Sequence, residues 1–124
     1  LFTHFRDTGR TPSDYDLILT GDLGVVGSKL LCQLVKEEGY DIYNNHKDAG
    51  CMIFDIEKQD VHAGGSGCGC CASVFCGRIF RKLKEKRLNN VLVMATGALM
   101  NTMTIQQGST IPGIAHAVAI SNNL

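Results

Sequence analysis

Four of the six cysteines in this chain crowd into HAGGSGCGCCASVFCG, residues 62–77, among glycines and beside a histidine. Such a stretch could hold a metal, run thiol redox chemistry, or turn the chain tightly into a buried helix. Zinc sites take cysteines two to four residues apart, in pairs that the fold brings together. The spacing here is C-x-C-C-x4-C. With a helix from residue 67, Cys68 and Cys76 share a face two turns apart, their sulfurs about 12 Å from each other by the helical rise. Cys70 and Cys71 then point elsewhere, and one tetrahedral ion does not fit, so no metal is expected. Cys68 and Cys71 have the C-x-x-C spacing of a thioredoxin-like site at a helix start, but no proline-bearing partner strand follows. Packing is the favoured reading of the thiols, because cysteine is among the most buried residue types. Each glycine in a helix costs about 1 kcal/mol relative to alanine. Several of them near one helix start imply that a helix, a sheet edge or a ligand approaches the backbone closely.

The same glycines offer a ligand surface. GGSG, Gly64–Gly67, presents backbone N–H groups at a helix start, a seat for an anion. It is not a Walker loop, since no G-K-[ST] follows. GDLGVVG, at 21–27, has glycines three apart after a strand, but Asp22 would repel a diphosphate. His62 precedes the glycines and is expected to face a crevice. Ser66 is not read as its nucleophilic partner, because residues so close in sequence rarely present their side chains to each other correctly. His116 alternates within an apolar strand and is read as a satisfied core histidine. RKLKEKR, at 81–87, reads as a solvated helix end without interleaved aromatics, with contact to an anionic membrane as the sharper alternative.

The elements that must position these residues follow from periodicity. Residues 1–14 read as a helix end and a loop, stopped at Gly9 and kept stopped by Pro12. YDLILTG predicts a strand over 15–20, buried on both faces. A helix follows, with Val26, Leu30, Leu31, Leu34 and Val35 as its apolar stripe and Gly39 as its C-cap. Residues 40–62 are irregular and are expected to hold a loop with a short helix or extended segment. From Gly67, Cys68, Ala72, Phe75, Cys76, Ile79, Phe80 and Leu83 predict a second apolar helical stripe, ended by positive charge. Buried strands are expected at 91–96 and 115–121, joined by a loop and lying antiparallel. The fold class is therefore α/β, a small mixed β-sheet packed against two long helices.

Composition sets the frame. A chain of 124 residues supports one domain with one core. Its 12 basic and 12 acidic residues cancel, so no global charge steers it to nucleic acid. No apolar run reaches the 18 or so residues that cross a bilayer. Adjacent Cys70 and Cys71 argue against a disulfide framework, and reduced thiols in a cytosolic setting are expected. The chain starts in mid-pattern without Met, as an excised domain of something longer would.

The order DLILTGDLG, helix, NNHKDAGCMIFD, QDVHAGGSGCGC, helix, VLVMATGAL and QQGSTIPGIAHAVAI resembles the C-terminal part of the stage V sporulation protein AD family over essentially the whole chain. That family is similar to the thiolase and ketoacyl-synthase superfamily, whose members have two similar halves. Residues 1–124 would be the second, a C-terminal thiolase-like domain. Condensing members of that superfamily place a histidine after the first strand of this half, and a histidine or asparagine before its glycine-rich helix start. Here Asp22 and Gly65 stand there, so the resemblance implies a fold kept for binding rather than condensation, with no catalytic residue and no cofactor.

The implied role is a sporulation protein that binds dipicolinic acid, with calcium as an optional companion. It would assist that acid's transport across the spore inner membrane as part of the SpoVA channel complex. It would lie peripherally on the cytoplasmic face, associated with the membrane through partner proteins, with a homodimer of the full-length protein as an option. The ligand contacts suggested for that role are His62, Gly64, Gly65, Ser66, Gly67 and Asn101. A condensing acyltransferase and a structural interaction module stand as the alternatives.

Overall fold

A computed structural model describes residues 1–96, 102–110 and 115–122. Its centre is a strand, β1 (Leu17–Thr20), all four of whose residues are buried. Leu17 and Leu19 face one side of the sheet and Ile18 the other, as the period of two requires. β1 pairs in parallel with β2 (His46–Asp48) on one flank and with β3 (Asn90–Met94) on the other. β4 (Ala117–Ser121) runs antiparallel beside β3, giving the order β2-β1-β3-β4.

Helices cover the two faces. One face carries α1 (Phe2–Thr8) and α2 (Gly24–Glu37), and Phe5, Tyr15, Val35 and Ile42 pack there on Ile18 and Leu92. α1 ends at Gly9 in the left-handed conformation (φ 66°), the termination that its sequence position predicts. The other face carries α3 (Ala49–Met52) and a longer helical rod. The rod is made of α4 (Cys70–Val74), a π-helical turn (Phe75–Ile79) and α5 (Phe80–Lys84). Its buried residues are Cys70, Val74, Ile79 and Leu83. The step of five from Val74 to Ile79 is the signature of the π turn, which inserts one residue and rotates the later face.

Several expectations are corrected here. The rod starts at Cys70, not at Gly67, and its inward stripe is not the expected one, since Cys68, Ala72, Cys76 and Phe80 are exposed. Packing therefore explains Cys70 and the half-buried Cys71, not Cys68 or Cys76. On α2, Val26, Leu30 and Leu34 are exposed, and the helix rests on Val35 with Leu31 and Cys32 beside it. The irregular stretch 40–62 does hold the short helix and extended segment expected of it, α3 and β2, and what its polar His-Lys-Asp sequence hid is that β2 joins the sheet as an edge strand. The loop expected between the last two strands contains α6 (Thr102–Gln106). β4 was expected to be covered on both faces, yet it is largely exposed, and so is His116 just before it. His116 is therefore not a core histidine. β4 is the sheet's outer strand, and its pairs with Leu92 and Met94 put only alanines on the face toward α1 and α2.

Leu92 is fully buried and Val118 is 56% exposed. Leu92→Ala is expected to lower the unfolding free energy by about 3 kcal/mol and Val118→Ala by less than about 0.5 kcal/mol, read by urea denaturation of the full-length protein.

Candidate functional site

The carboxyl ends of β1 and β2 meet at a buried polar cluster. Asp48, 2% exposed, ends β2 and caps α3. Its Oδ1 accepts from the Thr20 hydroxyl at 2.7 Å and from the Leu23 N–H at 3.0 Å. Its Oδ2 accepts from the Gly24 N–H at 2.9 Å and, more weakly, from the Cys51 N–H at 3.3 Å. One carboxylate thus joins a strand to the first turns of two helices, where the helix dipole also favours negative charge. His46 Nε2 lies 2.9 Å from the Thr20 hydroxyl, and its Nδ1 lies 3.6 Å from the Cys32 sulfur. Since the Thr20 proton goes to Asp48, His46 Nε2 is the donor to Thr20, and its Nδ1 is left to accept from the Cys32 thiol. Burial lowers the His46 pKa, Lys47 adds to that, and Asp48 opposes both. Burial, and then Asp41, raise the Cys32 thiol. The cluster has the residue types of a hydrolytic triad in the wrong order. The hydroxyl sits between imidazole and carboxylate, so the imidazole cannot take a proton that Thr20 gives to Asp48.

A second tie closes over the first. Asp22, in the turn after β1, accepts through Oδ2 from the Ser66 hydroxyl at 2.8 Å and from the Gly67 N–H at 2.9 Å. The Gly65 N–H donates to the Gly50 carbonyl at 2.7 Å, and the Gly64 N–H to the Val61 carbonyl at 2.9 Å. The glycines are demanded by this closeness. A Cβ on Gly64, whose φ is 118°, would stand 2.5 Å from the Gly50 carbonyl oxygen. A Cβ on Gly50 would meet the Gly65 oxygen at the same distance. On the other flank, the Thr96 hydroxyl accepts from the Gly21 and Asp22 N–H groups at 2.9 and 3.2 Å.

The sequence-predicted residues thus fall into three sets. Gly64, Gly65, Ser66 and Gly67 are brought against Asp22 and Gly50, but the N–H groups of the three glycines are used within the protein. The anion seat expected of these main-chain donors is corrected accordingly: a carboxylate of the chain itself takes part of it. His62 sits at the start of the turn with φ 50°, exposed, its Nε2 3.7 Å from Asp60 Oδ1. Asn101 lies outside the described residues. Sequence reasoning passed over Asp48, His46, Thr20 and Thr96. Asp48 had one readable signal, an acidic residue directly before Ala-Gly-Cys, which suits a helix N-cap. The other three carry no local signal, because their partners are distant in sequence.

Burial is the largest cause that raises the thiols of Cys70 and Cys71, and Asp22 is the next. Both are held as weakly nucleophilic neutral thiols. Among the described residues no group of three or more histidine, cysteine or acidic side chains is arranged to hold a metal. No helix among them is long and apolar enough to cross a membrane.

The fold and the site define a mixed α/β domain whose strand ends are locked by internal carboxylates. Its sequence matches the family model described as Stage V sporulation protein AD (SpoVAD) over residues 1–121. It is 52% identical over 115 residues to the Stage V sporulation protein AD of Bacillus subtilis (strain 168), covering 93% of this chain and 34% of that protein. The chain belongs to the SpoVAD family of sporulation proteins, and it spans about a third of the length of the curated relative it matches.

Two predictions follow from the cluster chemistry. Asp48→Asn keeps the volume but sets an amide N–H₂ against buried donors, and is expected to cost about 3 kcal/mol or more in unfolding free energy by urea denaturation. His46 has a folded pKa below the ordinary 6.5, so between those two values the unfolded chain binds more protons than the folded one. Its contribution to stability is full above 6.5 and declines as pH falls through that window. The melting temperature is expected to drop on acidification below about pH 6.5, and His46→Gln is expected to flatten that dependence in scanning calorimetry.

Proposed function

We propose that this chain is the carboxyl-terminal, thiolase-like half of a non-catalytic sporulation protein that binds dipicolinic acid. In this reading it assists that acid's movement across the spore inner membrane as a soluble member of the SpoVA channel complex, on the membrane's cytoplasmic face. Calcium is an optional companion of the dicarboxylate, and the full-length protein is an optional homodimer. The family membership supports the sporulation role. The parallel core with one antiparallel outer strand supports the thiolase-like half.

The observation that carries the non-catalytic part is the bond between Asp22 and the Ser66–Gly67 turn. Carbon–carbon condensation needs donors aimed at a developing oxyanion. At the two places where the resemblance puts them, the chain has a carboxylate and a glycine, and the carboxylate consumes donors of the turn. The Gly65 N–H is committed to Gly50. An arrangement of this kind holds shape, and in this reading it puts no imidazole or amide at those two places to meet a substrate carbonyl.

Ligands of parallel α/β sheets sit outside the carboxyl ends of the strands, where neighbouring connections leave in opposite directions. β1 has that place, between β2 and β3. In this reading the Ser66 hydroxyl, which bonds Asp22 in the turn after β1, and His62 of the same glycine turn contact the ligand there, with Asn101 as the remaining proposed contact. The rest of a family-length chain would complete the pocket.

Calorimetric titration of dipicolinate into the full-length protein, with and without calcium, tests this. Saturable binding is expected, with no turnover of acyl-coenzyme A substrates, and with Ser66→Ala and His62→Ala each weakening binding about fivefold. Cysteine-dependent turnover, or the absence of saturable binding, would overturn the reading.

A further inference from the structure

The chain is electrically neutral as a whole but not in its parts. Residues 78–87 hold six of its twelve basic residues and one of its twelve acidic ones. They occupy the end of the helical rod and the turn that leads into β3, at the amino ends of β1 and β3 and so at the opposite end of the strands from Asp22 and Asp48. Arg78, Arg81, Lys84, Lys86 and Arg87 are exposed. Among the described residues the one ion pair in this group joins Arg87 to Glu85 at 3.4 Å. From Leu88 to Leu124 the chain carries no Asp, Glu, Lys or Arg, so the segment that follows supplies no acidic neutraliser.

The macrodipole accounts for one or two cations in the last turn, but not for the whole group, nor for its backbone. Lys86 has φ 54°, the left-handed conformation that glycine adopts at helix ends without penalty. The Lys86 N–H bonds the Leu83 carbonyl, and the Arg87 N–H bonds the Lys82 carbonyl. The chain thus closes the helix with a strained lysine where glycine would be cheaper. The end is also held rigid, since the Asn122 amide donates to the Leu83 and Leu88 carbonyls at 2.8 and 2.9 Å. Beside Arg81 and Lys84, Phe80 is 52% exposed.

We infer that this pole is a docking surface for an anionic bilayer, in which the cations meet lipid phosphates and Phe80 enters the headgroup boundary. An exposed aromatic set among lysines and arginines suits a membrane interface. Phe80 is a single exposed ring in this group rather than a row of them, too few to stack successive bases of a single-stranded nucleic acid. The surface lies apart from the proposed ligand crevice, and the inference does not rest on the dicarboxylate reading.

The test mixes the full-length protein with vesicles of phosphatidylcholine alone, or of phosphatidylcholine and phosphatidylglycerol in equal parts, and reads binding by sedimentation. Binding to the anionic vesicles alone is expected, and it should be lost as salt shortens the Debye length from about 8 Å to about 3 Å. The triple variant Arg81→Gln, Lys84→Gln, Arg87→Gln should weaken it by about fivefold per charge. Lys86→Gly separates charge from folding. It should bind the vesicles about fivefold less while melting no lower than the parent, because it removes the left-handed lysine. Equal binding to both vesicle types, unchanged binding by both variants, or equally tight binding to duplex DNA at the same salt would overturn the inference.

Discussion

The fold hangs on the accommodation of one buried carboxylate. Asp48 has four donors on its two oxygens, and they come from three elements: β1 through Thr20, the start of α2 through Leu23 and Gly24, and α3 through Cys51. A buried carboxylate without donors is strongly unfavourable, and one with several charge-assisted hydrogen bonds becomes a fixed point. β2 is three residues long and sits at the edge of the sheet, so its own ladder holds it weakly. The carboxylate compensates by anchoring its last residue. The imidazole of His46 extends the same network toward Cys32 on α2, so the edge strand is joined to that helix by side chains as well as by packing.

The glycine turn depends on that anchor. Gly50 lies two residues after Asp48, and its carbonyl receives the Gly65 N–H while its own N–H bonds the Gly21 carbonyl. Backbone therefore meets backbone on both sides of Gly50, with no room for a side chain. Asp22 then fastens Ser66 and Gly67 from above. In physical terms the strand ends are closed by the chain's own groups. A closure of this kind orients the residues around it and commits the donors of the glycine turn to groups of the chain itself.

How much of this was legible in the sequence depended on the range of the interaction. β1, α2, the stop at Gly9 and the antiparallel pairing of the last two strands follow from local periodicity and turn chemistry, and the structure has them. β2 was hidden because its two inward side chains are polar, satisfied by partners at Thr20, Leu23 and Gly24 that are distant in sequence. The stripe on α2 was misjudged because Leu30 and Leu34 share helical spacing with Val35 and Leu31 but sit on the uncovered side. The rod's stripe failed for another reason: its buried residues are spaced four, five and four apart, and a uniform helical period cannot accommodate the step of five. Within the candidate site, the glycines were legible as places of close approach. What approaches them, Gly50 and Asp22, was not, since that depends on the sheet that brings residues 22, 50 and 65 together.

Burial also grades the domain from one edge to the other. Ile18, Leu19, Val91 and Leu92 are fully buried, so opening β1 and β3 exposes both core faces at once and approaches global unfolding. Beyond them, β4 is tied to β3 by its ladder and by the Asn122 bonds to the end of the rod, but it contributes little side-chain burial. α6 buries none of its residues. The free energy of local opening must therefore fall from the centre of the sheet toward β4 and α6. The Asp48 and Asp22 ties lie beside the most protected strand, so the carboxyl ends of β1 and β2 belong to the rigid part of the domain. The basic end of the rod is held from the opposite direction, since Leu83 packs in the core and the Asn122 amide holds the carbonyl of that same residue. The two surfaces are thus held by different hydrogen bonds, while the rod that begins at Cys70 beside the glycine turn and ends at the basic pole joins them through one packed face with Ala49 and Leu83.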